Sequence, residues 1–458
     1  MSLPSAFIEQ MTQQLGPELD AFLAALNEPA PTSIRYNPNK QRISLFENEK
    51  GIPWSENGRI LSSRPSFTFD PYFHAGHYYV QEASSMFIEE VLKQCVNLKD
   101  PILALDLCAA PGGKSTHLCS LLSDDSLLIS NEVIQQRASI LVENMSRWGN
   151  SNVVVTNNDP EHFTHSFKEC FDLILVDAPC SGEGMFRKDP DSISEWSTDH
   201  VKLCSARQHR ILEQVEQLVA ENGFIIYSTC TYNSLEDYKP IEQLLSTGKF
   251  ESIKINLSSF EGIVEYSNAE TKMYGYHFYP HKIIGEGYFI SVLKRKESNG
   301  AQDWPRVSKK NSFVDKKIIA ELSNFINIDG YTIYEHQNEL LAIPSTLAEK
   351  MLGLLSTSLR VKKFGTKIGQ LLRNELIPDQ DLAMSSIELK TIQSLDLEYE
   401  QAISYLQKKD VKPNVDSKGW HLIKYKDAKL GFAKLLGNRM NSTYPKEWRI
   451  RNELPKHN

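Results

Sequence analysis

The stretch Ile102-Leu103-Ala104-Leu105-Asp106-Leu107-Cys108-Ala109-Ala110-Pro111-Gly112-Gly113-Lys114-Ser115-Thr116 decides the fold. Its first six residues are an almost unbroken apolar run, the pattern of a strand buried on both faces. A loop of small residues follows, and Ser115-Thr116 marks the start of a helix. Two glycines in the loop let the backbone approach a ligand closely. The helix N-terminus adds free N–H groups and a positive dipole end, so a bound anion or carboxylate is expected. Gly113-Lys114-Ser115 imitates the end of a phosphate-binding P-loop, but that motif needs glycine where Cys108 stands. A site for a nucleoside cofactor is therefore preferred over a nucleotide triphosphatase or a purely structural turn.

Working outward, the block from Pro101 to Arg295 alternates short β-like runs with helical patterns. Leu127-Leu128-Ile129, Val153-Val154-Val155, Phe171 to Val176 and Phe224 to Tyr227 read as further strands. Ile134, Ala138, Leu141, Val142, Met145 and Trp148 keep helical spacing, as do Ile211, Val215, Leu218 and Val219. Repeated βα units with near-continuous apolar strands predict a mostly parallel sheet covered by helices on both sides. In such sheets the ligands sit beyond the carboxyl ends of the strands.

Every chemically suggestive residue falls at such an end. Glu132, in Asn131-Glu132, follows the second strand at the place where doubly wound folds put an acidic group on ribose hydroxyls. Asp159 follows the third, suited either to accept from an adenine amino group or to initiate a turn. The fourth and fifth strands end in Asp177-Ala178-Pro179-Cys180-Ser181-Gly182 and Ser228-Thr229-Cys230-Thr231. Two thiols on the ligand edge of neighbouring strands can converge although fifty residues apart. One cysteine alone would read as inert core. A converging pair beside a nucleoside site points to covalent catalysis. Carbon 5 of a pyrimidine is not nucleophilic, but adding a thiolate to carbon 6 makes it so, and it can then attack a methyl sulfonium. A base must afterwards remove the carbon-5 proton so that the thiol can leave.

The whole chain of 458 residues has a net charge of −8, which taken alone argues against a nucleic-acid partner. Divided, residues 1–300 carry −14 and residues 301–458 carry +6, with +8 inside 408–458. That last segment interleaves Trp420, Tyr425, Phe432, Tyr444 and Trp448 with its cations, the composition of a surface that meets phosphates and stacks bases. Seven cysteines with no C-x-x-C pair fit a reduced protein. No signal peptide or membrane span is written in the sequence, so a cytoplasmic protein with no membrane association is expected. His74-x-x-His77 and His277-x-x-x-His281 lack accompanying Cys or acidic ligands and are assigned to loops or core, leaving no metal site. The polar stretch from Lys294 to Asn311 reads as a linker.

These residues closely resemble the RNA cytosine-carbon-5 methyltransferases of the Sun/nucleolar-protein family, and within it the bacterial F type that acts on the small ribosomal subunit. The resemblance rests on Tyr79 to Met86, Cys108 to Lys114, Asp177 to Lys188, Tyr227 to Thr231, and Leu435 to Arg439 followed by Tyr444-Pro445. It implies an α/β fold: a class I Rossmann-like methyltransferase core over 71–296, a small N-terminal α+β RNA-binding extension over 1–70, a linker over 297–311, and a C-terminal RNA-binding region over 312–458 that includes a PUA-like module. It further implies that S-adenosylmethionine is the cofactor, wrapped at its methionine end by Cys108, Ala109, Ala110, Pro111, Gly112, Gly113 and Lys114. Glu132 would hold the ribose, Asp159 the adenine side, and Asp177 would lie between cofactor and target base. Cys230 would be the nucleophile, Cys180 would assist product release, and Lys114 would orient Asp177 or the cytosine. Leu235 departs from relatives that often carry an acidic residue there. The expected activity is methylation of carbon 5 of a cytosine in structured RNA, most naturally 16S ribosomal RNA or the small subunit; the sequence leaves the oligomeric state open, with a monomer favoured. Transfer RNA as substrate, or a non-catalytic ribosome assembly factor, are the alternatives.

Overall fold

The computed structural model describes residues 2–40, 45–297, 304–307, 314–373 and 375–455. Its largest element is a ten-stranded sheet. Five parallel strands form the centre, in the spatial order Val219–Thr229, Phe171–Asp177, Leu103–Asp106, Leu127–Asn131 and Val153–Thr156. Leu103–Asp106 lies between its successor in sequence and the fourth strand of the series, so the winding reverses there. That reversal opens the crevice in which doubly wound sheets bind ligands.

The expectation of a mostly parallel sheet needs correcting, because half of the strands are antiparallel. Tyr288–Arg295, Met273–Phe278 and Val264–Asn268 extend one edge and Phe250–Ser252 pairs beside them, while Val361–Phe364 pairs with Val153–Thr156 at the other edge. The neighbours Val264–Asn268, Met273–Phe278 and Tyr288–Arg295 are joined by short connections, which need no crossover helix. Val361–Phe364 arrives from the distant C-terminal region, a pairing that no local pattern announces.

Alternation along the central strands divides the interior into two cores. Leu103, Leu105, Leu127, Ile129, Ile174 and Val176 face one side, covered by Ile211, Leu212, Val215 and Leu218 of the helix Thr198–Leu218. Ala104, Leu128, Leu173 and Leu175 face the other, covered by Leu118 of Gly113–Leu121 and by Leu141, Met145 and Trp148 of Gln135–Trp148. Ile134 stands just before that helix and is half exposed.

The N-terminal helices Ser5–Leu15 and Leu19–Leu26 insert Phe7, Met11 and Phe22 against Phe186, Trp196 and Tyr232 of the core. A four-stranded sheet follows in the order Lys50–Ile52, Ser55–Leu61, Thr32–Tyr36 and Tyr78–Val80. Its last strand lies beyond the boundary expected at residue 70, because Tyr78–Val80 finds its hydrogen bonds on Thr32–Tyr36 and not in the core sheet. Of the expected linker, residues 298–303 and 308–311 lie outside the described residues. Trp304 packs its ring 4.9 Å from that of Phe167 and donates to Lys350 O at 3.1 Å.

The C-terminal region holds two more four-stranded sheets, one over Tyr331–His336, Glu339–Pro344, Thr366–Leu372 and Glu375–Pro378, the other over Gln393–Asp396, Lys418–Tyr425, Ala428–Leu436 and Met440–Ser442. The aromatic residues expected to stack bases do not form one stacking surface. Phe432 and Tyr444 are fully buried, and Tyr425, Trp448 and Trp420 pack against apolar clusters. Small β modules have little interior, so their aromatic side chains are drawn inward. The cations stay outside: Lys412, Lys418, Lys426, Arg439, Lys446 and Arg451 are exposed.

His74, His77 and His277 are buried, and His281 Nε2 lies 3.3 Å from Glu18 Oε2. Among the described residues, no group of three or more His, Cys, Asp or Glu is arranged to hold a metal ion, and no helix is long and apolar enough to cross a membrane.

Candidate active site

The loop after the first central strand turns into the helix Gly113–Leu121 at Gly112, whose φ of 116° lies in the left-handed region. A Cβ there would stand 3.2 Å from Leu141 Cδ1, so both backbone angle and space favour glycine. Arg137 donates to Ala110 O at 2.7 Å and Asn144 to Pro111 O at 2.7 Å, clamping the loop from the neighbouring helix. From below it is held by Arg35, which is buried and donates to Gln81 Oε1 at 2.9 Å, Thr116 Oγ1 at 2.7 Å and Ser120 Oγ at 3.1 Å. Sequence reading missed this arginine, because its partners lie far along the chain. Gln81, inside the Tyr79 to Met86 motif, was the available signal.

Glu132 is buried at the end of the second strand, with Oε1 accepting from Ile134 N at 2.9 Å and Oε2 3.5 Å from Arg137. Asn131 Nδ2 ties the neighbouring strand ends together through Leu107 O and Asn158 O. Asp159 is exposed and accepts from Glu161 N at 3.1 Å, the turn-initiating arrangement. Asp106 is fully buried, with Oδ2 accepting from Ser115 Oγ at 2.6 Å and Oδ1 without a partner. Burial pushes its pKa up to about 7, helped by Asp177 and Glu132 nearby. The folded chain therefore keeps a proton that the unfolded chain gives up. The associated stability is complete below about pH 4 and lost as pH rises through about 7. Asp106→Asn is expected to remove this loss, so its urea midpoint should change less than that of the parent between about pH 5 and about pH 8.

Lys114, on the first turn of the helix, places Nζ 2.8 Å from Asp177 Oδ2 at the end of the fourth strand. Burial opposes its charge, but Asp177 more than compensates and its pKa is raised. Ser228 Oγ donates to Asp177 Oδ1 at 2.7 Å, so both carboxylate oxygens are held. Cys180 and Cys230 converge as their strand ends require, because Asp177 and Ser228 are register partners. The two Sγ atoms are 3.0 Å apart, and Cys230 N points at Cys180 Sγ at 3.4 Å. The contact with Cys230, together with burial, holds the Cys180 thiol well above its ordinary pKa.

Three buried carboxylates fasten the two cysteine loops. Glu236 accepts from Ser181 N at 2.9 Å, Ser181 Oγ at 2.5 Å, Gln208 Nε2 at 3.1 Å and Asn233 Nδ2 at 2.7 Å. Glu183 accepts from Tyr232 N at 2.8 Å and Asn233 Nδ2 at 3.1 Å. Asp237 accepts from both threonines flanking Cys230, Thr229 at 2.5 Å and Thr231 at 2.8 Å. None was singled out from the sequence, although Glu183 lies inside the Asp177 to Lys188 motif and the other two lie just beyond Cys230. Acidic residues there read as solvated helix-start residues until their donors are seen.

Family models match three parts of the chain: the N-terminal domain of 16S rRNA methyltransferase RsmF over residues 3–83, 16S rRNA methyltransferase RsmB/F over 93–294, and the methyltransferase RsmF PUA domain over 392–450. The ribosomal RNA small subunit methyltransferase F of Aliivibrio salmonicida (strain LFI1238) is 30% identical, over 97% of this chain and 97% of its own. The chain belongs to the RsmF family. The protein of the same name from Shewanella loihica (strain ATCC BAA-1088 / PV-4) is 28% identical over 98% of this chain and 95% of its own. Among solved structures, a methyltransferase homolog protein from Pyrococcus horikoshii is 26% identical, with a TM-score of 0.54 over 64% of this chain and 95% of that one. NSun6 from Pyrococcus horikoshii with SFG, at 18% identity, shares the fold with a TM-score of 0.52 over 64% of this chain and 99% of that one.

Membership makes the chain an S-adenosylmethionine-dependent RNA methyltransferase of the Rossmann-like class. The residues of this RsmF chain fit such a cofactor. Glu132 and Asp177 stand near buried Asp106, whose Oδ1 has no partner, and this acidic set at the strand ends suits a molecule carrying ammonium and sulfonium charges. Two cavities of about 650 and 550 Å³ lie elsewhere, where the peripheral units meet the core, and neither is lined by a catalytic candidate.

Proposed function

We propose that this RsmF-family chain methylates carbon 5 of a cytosine in small-subunit ribosomal RNA through a covalent bond between Cys230 and carbon 6. The observation that carries the proposal is the convergence of Cys180 and Cys230 at 3.0 Å beside the Lys114–Asp177 pair. A non-catalytic binder needs neither two adjacent thiols nor the buried carboxylates that fix their loops.

Cys230, as thiolate, adds to carbon 6 and moves electron density to carbon 5. S-adenosylmethionine supplies an electrophilic methyl group. Asp177, fixed by Lys114 and Ser228, faces the space between cofactor loop and thiols, where it holds the target base. A water molecule acting as base takes the carbon-5 proton; the C–H electron pair restores the ring double bond, and the carbon 6–sulfur bond breaks to release the Cys230 thiolate. Cys180, in contact with the leaving sulfur at 3.0 Å, donates a hydrogen bond to it and so assists release. Cys108 to Gly113 hold the methionine end of the cofactor and Glu132 its ribose. Asp159 contributes on the adenine side through the carboxylate oxygen its turn leaves free. The target base must leave its stack to reach these groups.

Incubating the purified chain with labelled cofactor and unmodified 16S ribosomal RNA, then mapping 5-methylcytosine by bisulfite sequencing, tests the reading. Label in a cytosine of that RNA is expected; no label there, with label in a parallel incubation with unmodified transfer RNA or in neither, overturns it. The exposed cations of the C-terminal module grip the surrounding backbone. Deleting 408–458 would open the cluster around Ile423, Leu430 and Tyr405, so charge removal is the cleaner probe. Changing Arg439, Lys446 and Arg451 together to Gln is expected to weaken RNA binding. The slope of log affinity against log salt should fall by about one unit for each phosphate no longer neutralised, with cofactor affinity unchanged.

A further inference from the structure

The same two thiols form a site for a second chemistry. We infer that Cys180 and Cys230 are a peroxide-oxidisable dithiol that closes to a reversible disulfide and switches methyl transfer off. The inference stands on geometry that does not depend on which base is methylated. Their strands are register neighbours up to Asp177 and Ser228, which brings the two backbones to the separation a disulfide spans. Their sulfurs are already in contact at 3.0 Å, and neither residue is fully buried. Cys119, Cys170 and Cys204, by contrast, are buried.

The chemistry balances with hydrogen peroxide as the oxidant. The Cys230 thiolate attacks one peroxide oxygen, the O–O bond breaks, hydroxide leaves, and Cys230 becomes a sulfenic acid. The Cys180 sulfur then attacks the Cys230 sulfur; the S–O bond breaks, and the Cys180 proton leaves with the departing hydroxyl as water. The two sulfurs together lose two electrons and peroxide is reduced to two waters. Placing the releasing thiol against the nucleophile thus also places a resolving cysteine beside the one most exposed to overoxidation. The disulfide protects Cys230 from the irreversible sulfinic state.

The test uses the full-length chain treated with dilute hydrogen peroxide. Free thiols are then blocked, and the protein is digested without reductant and mapped by mass spectrometry. A linked pair of peptides carrying Cys180 and Cys230, lighter by two hydrogens than their sum, is expected. Methyl transfer should be lost in parallel, and dithiothreitol should restore both thiols and activity. In Cys180→Ser, Cys230 should instead advance to sulfinic acid that dithiothreitol does not reverse. Overoxidised Cys230 beside a free Cys180 in the parent protein, or linkage that appears only in urea, overturns the inference. Failure to methylate any RNA would sink the proposed function and leave this thiol mapping to stand or fall by itself.

Discussion

Cys230→Ala should abolish methyl transfer, by roughly 10⁴-fold or more in kcat, whereas Cys180→Ala should trap the enzyme on its RNA. The two substitutions remove the same atom from either side of one 3.0 Å contact, and their expected outcomes are opposite in kind. Without Cys230 no adduct forms at carbon 6, and carbon 5 never becomes nucleophilic. Without Cys180 the addition and methyl transfer proceed, but the leaving sulfur loses its hydrogen-bond donor. A protein–RNA adduct should then accumulate as a slow band on a denaturing gel, and labelled cofactor should mark it. Adducts from Cys230→Ala, or methyl transfer surviving in it, would reverse the assignment.

Glu236→Ala should be the most damaging substitution among the residues that touch no substrate. Its carboxylate collects four hydrogen bonds, two from Ser181 and one each from Gln208 and Asn233, and it is fully buried. Removing it strands Ser181 N and Oγ in the interior, at about 1–3 kcal/mol for each that finds no water, while Gln208 Nε2 keeps Pro179 O and Asn233 Nδ2 keeps Glu183. A total of about 3 kcal/mol or more is therefore expected, read as a fall in the urea midpoint with an unchanged slope. Ser181 follows Cys180 directly, so kcat should fall further than the stability loss explains, even under conditions where the variant is fully folded. Full kcat in a folded Glu236→Ala protein would show that the thiols are placed without this anchor.

The central sheet was legible because buried parallel strands write themselves as apolar runs, as in Leu103-Ala104-Leu105 and Val153-Val154-Val155. The two thiols were legible because each follows such a run and their strands are neighbours. Glu183, Glu236 and Asp237 were not, since a charged residue in sequence gives no sign of donors converging from three segments. The antiparallel edge at Val361–Phe364 was equally silent, because its partner Val153–Thr156 lies some two hundred residues earlier. Charge patterning located the basic tail, but it misassigned Phe432 and Tyr444, whose burial follows from how little interior a small β module has.

That borrowed strand has a consequence for how the molecule can be divided. Arg360 O accepts from Asn157 N at 2.9 Å, Arg360 N donates to Asn158 Oδ1 at 3.0 Å, and Val361–Phe364 completes the hydrogen bonding of Val153–Thr156 beside them. A catalytic core cut free at its apparent C-terminal boundary would carry an unpaired row of backbone groups along Val153–Thr156, an open template for edge-to-edge aggregation. The C-terminal region thus closes the edge of the catalytic sheet, so a core cut at that junction is expected to aggregate unless Val361–Phe364 is kept with it.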